Sequence, residues 1–268
     1  MKKTRTRILG LCLPALLVSC SSTTEKGSVG VERRQLLLVS PEQVAEASKA
    51  AYDKTKNEAA GKKALDQNAD QVRRVNEIMR RLIPGVGSFR RDAVSWPWEV
   101  HVITSPELNA FCLPNGKIMF YSGIIEKLKL TDGEIAAIMG HEIAHALREH
   151  GRERMSEEMV KQLGVNILIS SGKVDPKYAG AMDAALAVAI SLPHSRGQES
   201  EADQVGLELM ARAGYNPQDA LSLWKKMGAV SQGKPPEFLS THPSDQTRLK
   251  RIEALLPKVM PLYRPAAS

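Results

Sequence analysis

Cysteine is scarce in this sequence, with three among 268 residues, so a disulfide framework of the kind that staples small secreted domains is excluded. Long hydrophobic runs are missing too. Ile8–Val18, Met159–Ser170 and Ala181–Leu192 are apolar but shorter than the roughly 20 residues a membrane-spanning helix needs. There is no Walker A loop and no dinucleotide fingerprint, so nothing indicates a nucleotide partner. No internal repeat is visible. A large charge surplus is lacking as well. Of the formal +7, four charges come from Lys2, Lys3, Arg5 and Arg7, and the rest of the chain is nearly balanced. A nucleic-acid partner is therefore not indicated. The pairs Arg73-Arg74, Arg80-Arg81 and Arg90-Arg91 read as solvated helix faces rather than a lipid-binding stripe. What remains is an ordinary globular composition, 43% apolar and 25% charged, long enough for one sizeable core.

The N-terminus has the order of a targeting signal: a basic stretch to Arg7, the apolar run, then Ser19 and Cys20. Leu17-Val18-Ser19-Cys20 resembles a bacterial lipoprotein box, which implies acylation of Cys20 as the first mature residue. Ser21 in place of Asp implies the outer membrane, facing the periplasm. Cys112 would then be the one free thiol left. The expected organisation is a signal peptide over 1–19, a flexible lipidated tether over 20–34, a single domain over 35–256 and a frayed tail over 257–268.

The domain reads as α+β and predominantly helical. Pro41 opens a polar helix with Val44, Ala47 and Ala51 at helical spacing. A second helix is predicted from about Asp66 to Leu82, stopped by Pro84-Gly85. Between Trp98 and Ser122 apolar and polar residues alternate around the turn signal Pro114-Asn115-Gly116, which predicts a small antiparallel sheet. Helices are then predicted over Gly123–Leu128, Asp132–His150 with Asp132 as N-cap, Gly151–Ile169, Pro176–Ser191, Arg196–Ala213, Pro217–Met227 and Asp245–Leu256.

The run His141-Glu142-Ile143-Ala144-His145 carries the chemistry. Residues four apart share a helix face, so His141 and His145 can direct two imidazoles at one cation. Glu142 is turned about 100° from His141 and flanks the site, where a general base for metal-activated water belongs. The apolar flanks Ile135, Ala136, Ile138, Ile143, Ala144 and Leu147 mark a buried helix, in which unpaired polar residues would be costly. Catalytic zinc takes three protein ligands and keeps a position open. His150, five residues past His145, faces away and reads as helix-end or surface packing. His101 in a strand and His194 before a helix read as exposed or structural. The acidic helix start Glu199-Ser200-Glu201-Ala202-Asp203 is the better source: Glu199 and Asp203 share a face, one to ligate and one to hold a ligand imidazole, while Glu201 points elsewhere.

Five phrases occur in order: Asn109-Ala110-Phe111, Pro114-Asn115-Gly116, Gly140-His141-Glu142-Ile143-Ala144-His145, Ser195-Arg196-x-x-Glu199-x-x-Ala202-Asp203, and Thr241-His242-Pro243 followed by Arg248-Leu249. Together they resemble the zinc metallopeptidases that include HtpX and the CAAX prenyl proteases, in their periplasmic lipoprotein branch. The resemblance implies a gluzincin-like fold with the sheet packed on the active-site helix, and one Zn2+ per chain. It implies Glu199 as third ligand and Asp203 as the residue orienting His141. Asn109 and Ala110 would lie on an edge strand that pairs with substrate backbone. His242 would act as a latch on the metal or, with Arg248, in oxyanion stabilisation, the alternative being packing of the Pro243 turn. The implied activity is an endopeptidase for unfolded or misfolded envelope polypeptides. The rival is a chaperone-like lipoprotein with a latent zinc site.

Overall fold

The computed structural model describes residues 20–170, 193–230, 236–242 and 246–265. The expected leader, the predicted helix Pro176–Ser191, Pro243 and Asp245 lie outside the described residues. Helix α1 (Pro41–Gly61) begins in a capping box: Ser40 Oγ accepts from the Gln43 amide and the Gln43 side chain accepts from the Ser40 amide. Its buried face runs through Val44, Ser48 and Tyr52. Helix α2 (Ala69–Val86) starts at the Asn68 cap and continues through Pro84-Gly85, where a stop was expected. Pro84 cannot donate to the carbonyl one turn back, yet the helix runs on over a face where Val75, Ile78, Met79, Leu82 and Val86 are all buried.

The sheet is mixed, not antiparallel. Strands β3 (Glu99–Ile103), β4 (Ala110–Leu113) and β5 (Lys117–Tyr121) lie in the order β3-β5-β4, with β3 parallel and β4 antiparallel to β5. Asn115 and Gly116, at φ 61° and 73°, make the tight hairpin predicted between β4 and β5. Ile118, Met119 and Phe120 of the central strand β5 are consecutive and all buried, so the strand is covered on both faces. Its Ile118 and Phe120 join the main core, whereas Met119 packs with Tyr52 of α1.

The remaining helices are α3 (Ser122–Lys127), α4 (Asp132–Leu147), α5 (His150–Ser170), α6 (Arg196–Arg212), α7 (Asp219–Val230), α8 (Glu237–Thr241) and α9 (Gln246–Val259). The architecture is thus α+β and mainly helical, as expected. Thr131, not Asp132, caps α4, forming a capping box with Glu134. Every residue from Gly133 to Leu147 is buried, because α4 packs on α2, α6, α7 and β4 at once. Glycines let α4 and α6 cross in backbone contact: a Cβ on Gly206 would stand 2.9 Å from the His141 nitrogen, and one on Gly140 would stand 3.0 Å from the Gly206 carbonyl. Among the described residues no helix is long and apolar enough to cross a membrane.

At both ends expected to be flexible, the described residues pack against the domain. The stretch expected as a tether pairs β1 (Cys20–Ser21) with β2 (Gln35–Leu36). It buries Val29 and Val31 in the core, and the amides of Ser28 and Val29 donate to Glu208 at 2.7 and 3.0 Å. At the other end, helix continues past Pro257 to a buried Val259 and a 3₁₀ turn at Met260–Leu262.

Candidate metal centre

The α4–α6 crossing brings one face of each helix together. His141 Nε2 and His145 Nε2 converge to 3.0 Å, and the Glu199 carboxylate of α6 lies 3.4 Å from the first and 3.3 Å from the second. These separations match the edge of a tetrahedron, about 3.3 Å, drawn around a cation with bonds of about 2.0–2.1 Å. His242, just past α8, adds Nδ1 at 3.0 Å from Glu199 and 3.3 Å from His141 Nε2. One donor atom from each of these four side chains fits within a 4.8 Å cluster.

The donor set also asks for positive charge. Burial alone would lower the pKa of His141, yet the charge of Glu199 raises it to about 9, so a proton is drawn to a site ringed by Glu142, Glu199 and Asp203. Burial works against ionised Glu199 too, but His242 and His141 hold it well below the usual carboxylate range. One buried carboxylate oxygen, Glu142 Oε1, accepts no hydrogen bond, with the nearest His242 nitrogen 3.4 Å away, which is costly unless a cation or a reactant satisfies it. The residues fit a divalent metal with N and O donors.

Behind these donor atoms, Asp203 Oδ1 lies 3.0 Å from His141 Nδ1, a position from which it can accept that N–H and leave Nε2 free for a cation. Arg248, 0% exposed, donates to both Asp203 oxygens at 2.9 and 2.7 Å. It also pairs with Glu199 at 2.8 Å and stacks on Trp224 at 3.4 Å.

In front lies a cleft of about 270 Å³, lined by Asn109, Ala110, Cys112, Glu142, His145 and His242 among others. Strand β4 is an edge of the sheet, so its outer side faces this space. Asn109 is already engaged: its carbonyl accepts from the Tyr121 amide at 3.1 Å, and its side-chain oxygen accepts from the Ala110 amide at 2.9 Å. By the antiparallel alternation, the outward carbonyls are those of Ala110 and Cys112.

Three histidines differ from expectation or are clarified. His101 pairs with Asp66 at 2.5 Å, a structural role. His194 is not detached from the site: its ring lies 3.8 Å from that of His145 and 4.8 Å from that of His242. His150 does not face away. Glu149 adopts φ 49°, the helix is interrupted between α4 and α5, and His150 turns back so that its Nδ1 is 2.8 Å from His145 Nδ1. Its other nitrogen meets Glu201 at 3.0 Å, so Glu201 is also part of the surroundings. Burial lowers the pKa of His150 to about 4. Burial opposes ionised Glu201 as well, but hydrogen bonds from His150 and Arg33 bring it down to about 2. A helix break at a non-glycine residue leaves no sequence signal, which is why the spacing argument missed both residues.

A His-Glu-x-x-His helix with a third carboxylate from a crossing helix defines a metallopeptidase centre. Residues 69–256 match the Peptidase family M48. The chain is 35% identical over 187 residues to mitochondrial metalloendopeptidase OMA1 of Schizosaccharomyces pombe, covering 69% of this chain and 52% of that protein. It is 28% identical over 185 residues to the beta-barrel assembly-enhancing protease of Yersinia pestis, covering 65% and 37%. Metalloprotease LoiP of Escherichia coli K12 is 24% identical over 257 residues, covering 93% and 96%. The chain belongs to Peptidase family M48, whose members use zinc. It spans about half the length of the Schizosaccharomyces pombe relative.

Proposed function

We propose that this chain is a zinc-dependent endopeptidase of the bacterial envelope that cleaves unfolded or misassembled polypeptides. The observation that carries the reading is the position of Glu142: buried, with one oxygen that accepts no hydrogen bond and lies 3.4 Å from His242 Nε2, at the junction of the ligand cluster and the edge-strand cleft. His141, His145 and Glu199 hold the metal, and Asp203 orients His141. Zinc, when bound, supplies a Lewis acid that activates water and polarises a carbonyl near neutral pH. Glu142 takes the proton of the attacking water and passes it to the leaving amine. An extended substrate adds as a strand beside β4, its amides donating to the Ala110 and Cys112 carbonyls. Backbone pairing of this kind accepts many sequences, which suits unfolded substrates.

Arg248, engaged by Asp203, Glu199 and Trp224, supports the ligands from behind rather than meeting an oxyanion. His242 lies among the ligand atoms and competes for the open position, so it acts as a latch. The same observation favours a second reading, a binding lipoprotein with a latent zinc site. The envelope location is supported by the bacterial relatives, LoiP and the beta-barrel assembly-enhancing protease, and by the lipoprotein-box resemblance at Cys20, whose acylation would anchor the chain to outer-membrane lipid.

Unfolded casein incubated with the protein, with and without a chelator, tests the activity. Chelator-sensitive cleavage is expected. Binding of casein without cleavage, in a zinc-replete preparation, would instead support the latent reading.

A further inference from the structure

His145 has two ring nitrogens in two different worlds. Nε2 lies among the ligand atoms, 3.0 Å from His141 Nε2 and 3.3 Å from Glu199. Nδ1 points the other way and meets Nδ1 of His150 at 2.8 Å. His150, 0% exposed, passes the contact to Glu201 through Nε2 at 3.0 Å. Glu201 in turn is gripped by two guanidiniums, Arg33 Nε at 2.5 Å and Arg148 Nε at 3.1 Å. Arg33 comes from the N-terminal segment and also forks onto Glu153, at 2.5 and 2.8 Å.

The proton positions follow from this order. A neutral imidazole has one N–H and one lone pair. A carboxylate held between two arginines has no proton to give, so it accepts, and His150 Nε2 must be the donor. His150 Nδ1 then carries the lone pair, and His145 Nδ1 must donate into it. That leaves the lone pair of His145 on Nε2, aimed at the cluster, which is the one tautomer in which His145 can ligate there. His141 receives the same instruction in a single step from Asp203.

We propose that Glu201, acting through His150, sets the tautomer and ring orientation of His145, and that Arg33 of the N-terminal segment anchors this relay. Glu201 and His150 are positioning residues; neither touches substrate. The proposal rests on the zinc-site reading above.

The test measures zinc affinity of the full chain by chelator competition, together with the tautomer of His145 by NMR of nitrogen-labelled histidine. His150→Phe keeps an aromatic ring but removes the acceptor. His150→Asn places an amide oxygen where Nδ1 stands and restores it. The expected result is a loss of about 10- to 100-fold in zinc affinity for His150→Phe, with His150→Asn within about threefold of the native protein. The native metal-free protein should carry the His145 proton on Nδ1. Native affinity in His150→Phe overturns the relay, and so does an equal loss in both variants, because packing rather than the acceptor would then matter. If His150→Phe does not fold, Glu201→Gln decides: its amide can offer His150 either an oxygen or an N–H, so the fixed tautomer and part of the zinc affinity should be lost. An unchanged affinity and proton position there overturn the proposal. Failure of the zinc-site reading itself is separable, since His141→Ala would then also bind zinc normally.

Discussion

Glu142 and Glu199 are two buried carboxylates of one centre, and their neighbours assign them different tasks. Burial raises the pKa of Glu142 and the charges of His242 and His141 offset only part of this, whereas the same two histidines drive Glu199 well below its ordinary value. Glu199 is thus fixed as an anion fit to ligate, and Glu142 is the stronger base of the two. The base is the deprotonated form, so kcat/KM should fall as pH drops through the Glu142 pKa, and that acidic limb should lie above the ordinary carboxylate value of 4.5. Glu142→Gln should lower kcat by at least about 10²-fold while zinc content stays stoichiometric. Retained turnover in a clean, metal-replete sample would refute the assignment. His242→Ala should speed cleavage if the ring latches the open position. A loss of kcat would instead give His242 an oxyanion role, and unchanged kinetics would exclude both. At this scale helical spacing made His141, Glu142 and His145 candidates and put Glu199 and Asp203 on one face, while the choice of Glu199 as ligand and of Asp203 as the support of His141 came from the family resemblance. His150 and Glu201 were hidden, because the turn at Glu149 reverses the face that spacing assigns to His150.

The elements hold the site by a close crossing of two helices. With Gly140 facing Gly206, the backbones of α4 and α6 touch, and the side chains one position or one turn away, His141 and Asp203, meet as a consequence. A Cβ on Gly206 would meet backbone atoms of Gly140 and His141 at 2.9–3.1 Å, and backbone cannot rotate aside. Gly206→Ala should therefore cost about 1–3 kcal/mol, several degrees of Tm. It should also weaken zinc binding, because separating the helices separates Glu199 from the histidines. Gly61→Ala is the control: nothing lies within 4 Å of its Cβ position, so stability should be unchanged or raised by up to about 1 kcal/mol. An equal effect of the two substitutions would count against the crossing. Element types were largely readable from periodicity. The strand order was not, because apolar alternation identifies strands and a hairpin but does not say which strand the first one joins. The clue was the unbroken apolar run of β5.

At the scale of the whole molecule, the segment before α1 belongs to the fold. Composition marked residues 21–32 as a tether, since they are polar and glycine-containing, yet their contacts run through backbone and a few side chains that composition does not weigh. Glu208 is 0% exposed and depends on the Ser28 and Val29 amides and on Arg212. Removing residues 20–31 would leave that carboxylate buried with fewer donors, at about 1–3 kcal/mol, and would strip Val29 and Val31 from the core at about 1.5–3 kcal/mol each. The sum is a large fraction of a typical folding free energy of about 5–15 kcal/mol. A chain starting at Glu32 should therefore lose about 10 °C or more of Tm, measured by thermal unfolding against the full chain. A tether would show no such loss, and an unchanged Tm would return the segment to that role. If the loss appears, an acyl chain on Cys20, were one attached, would sit on the ordered strand pair itself and would hold the domain against the membrane instead of letting it range from the surface.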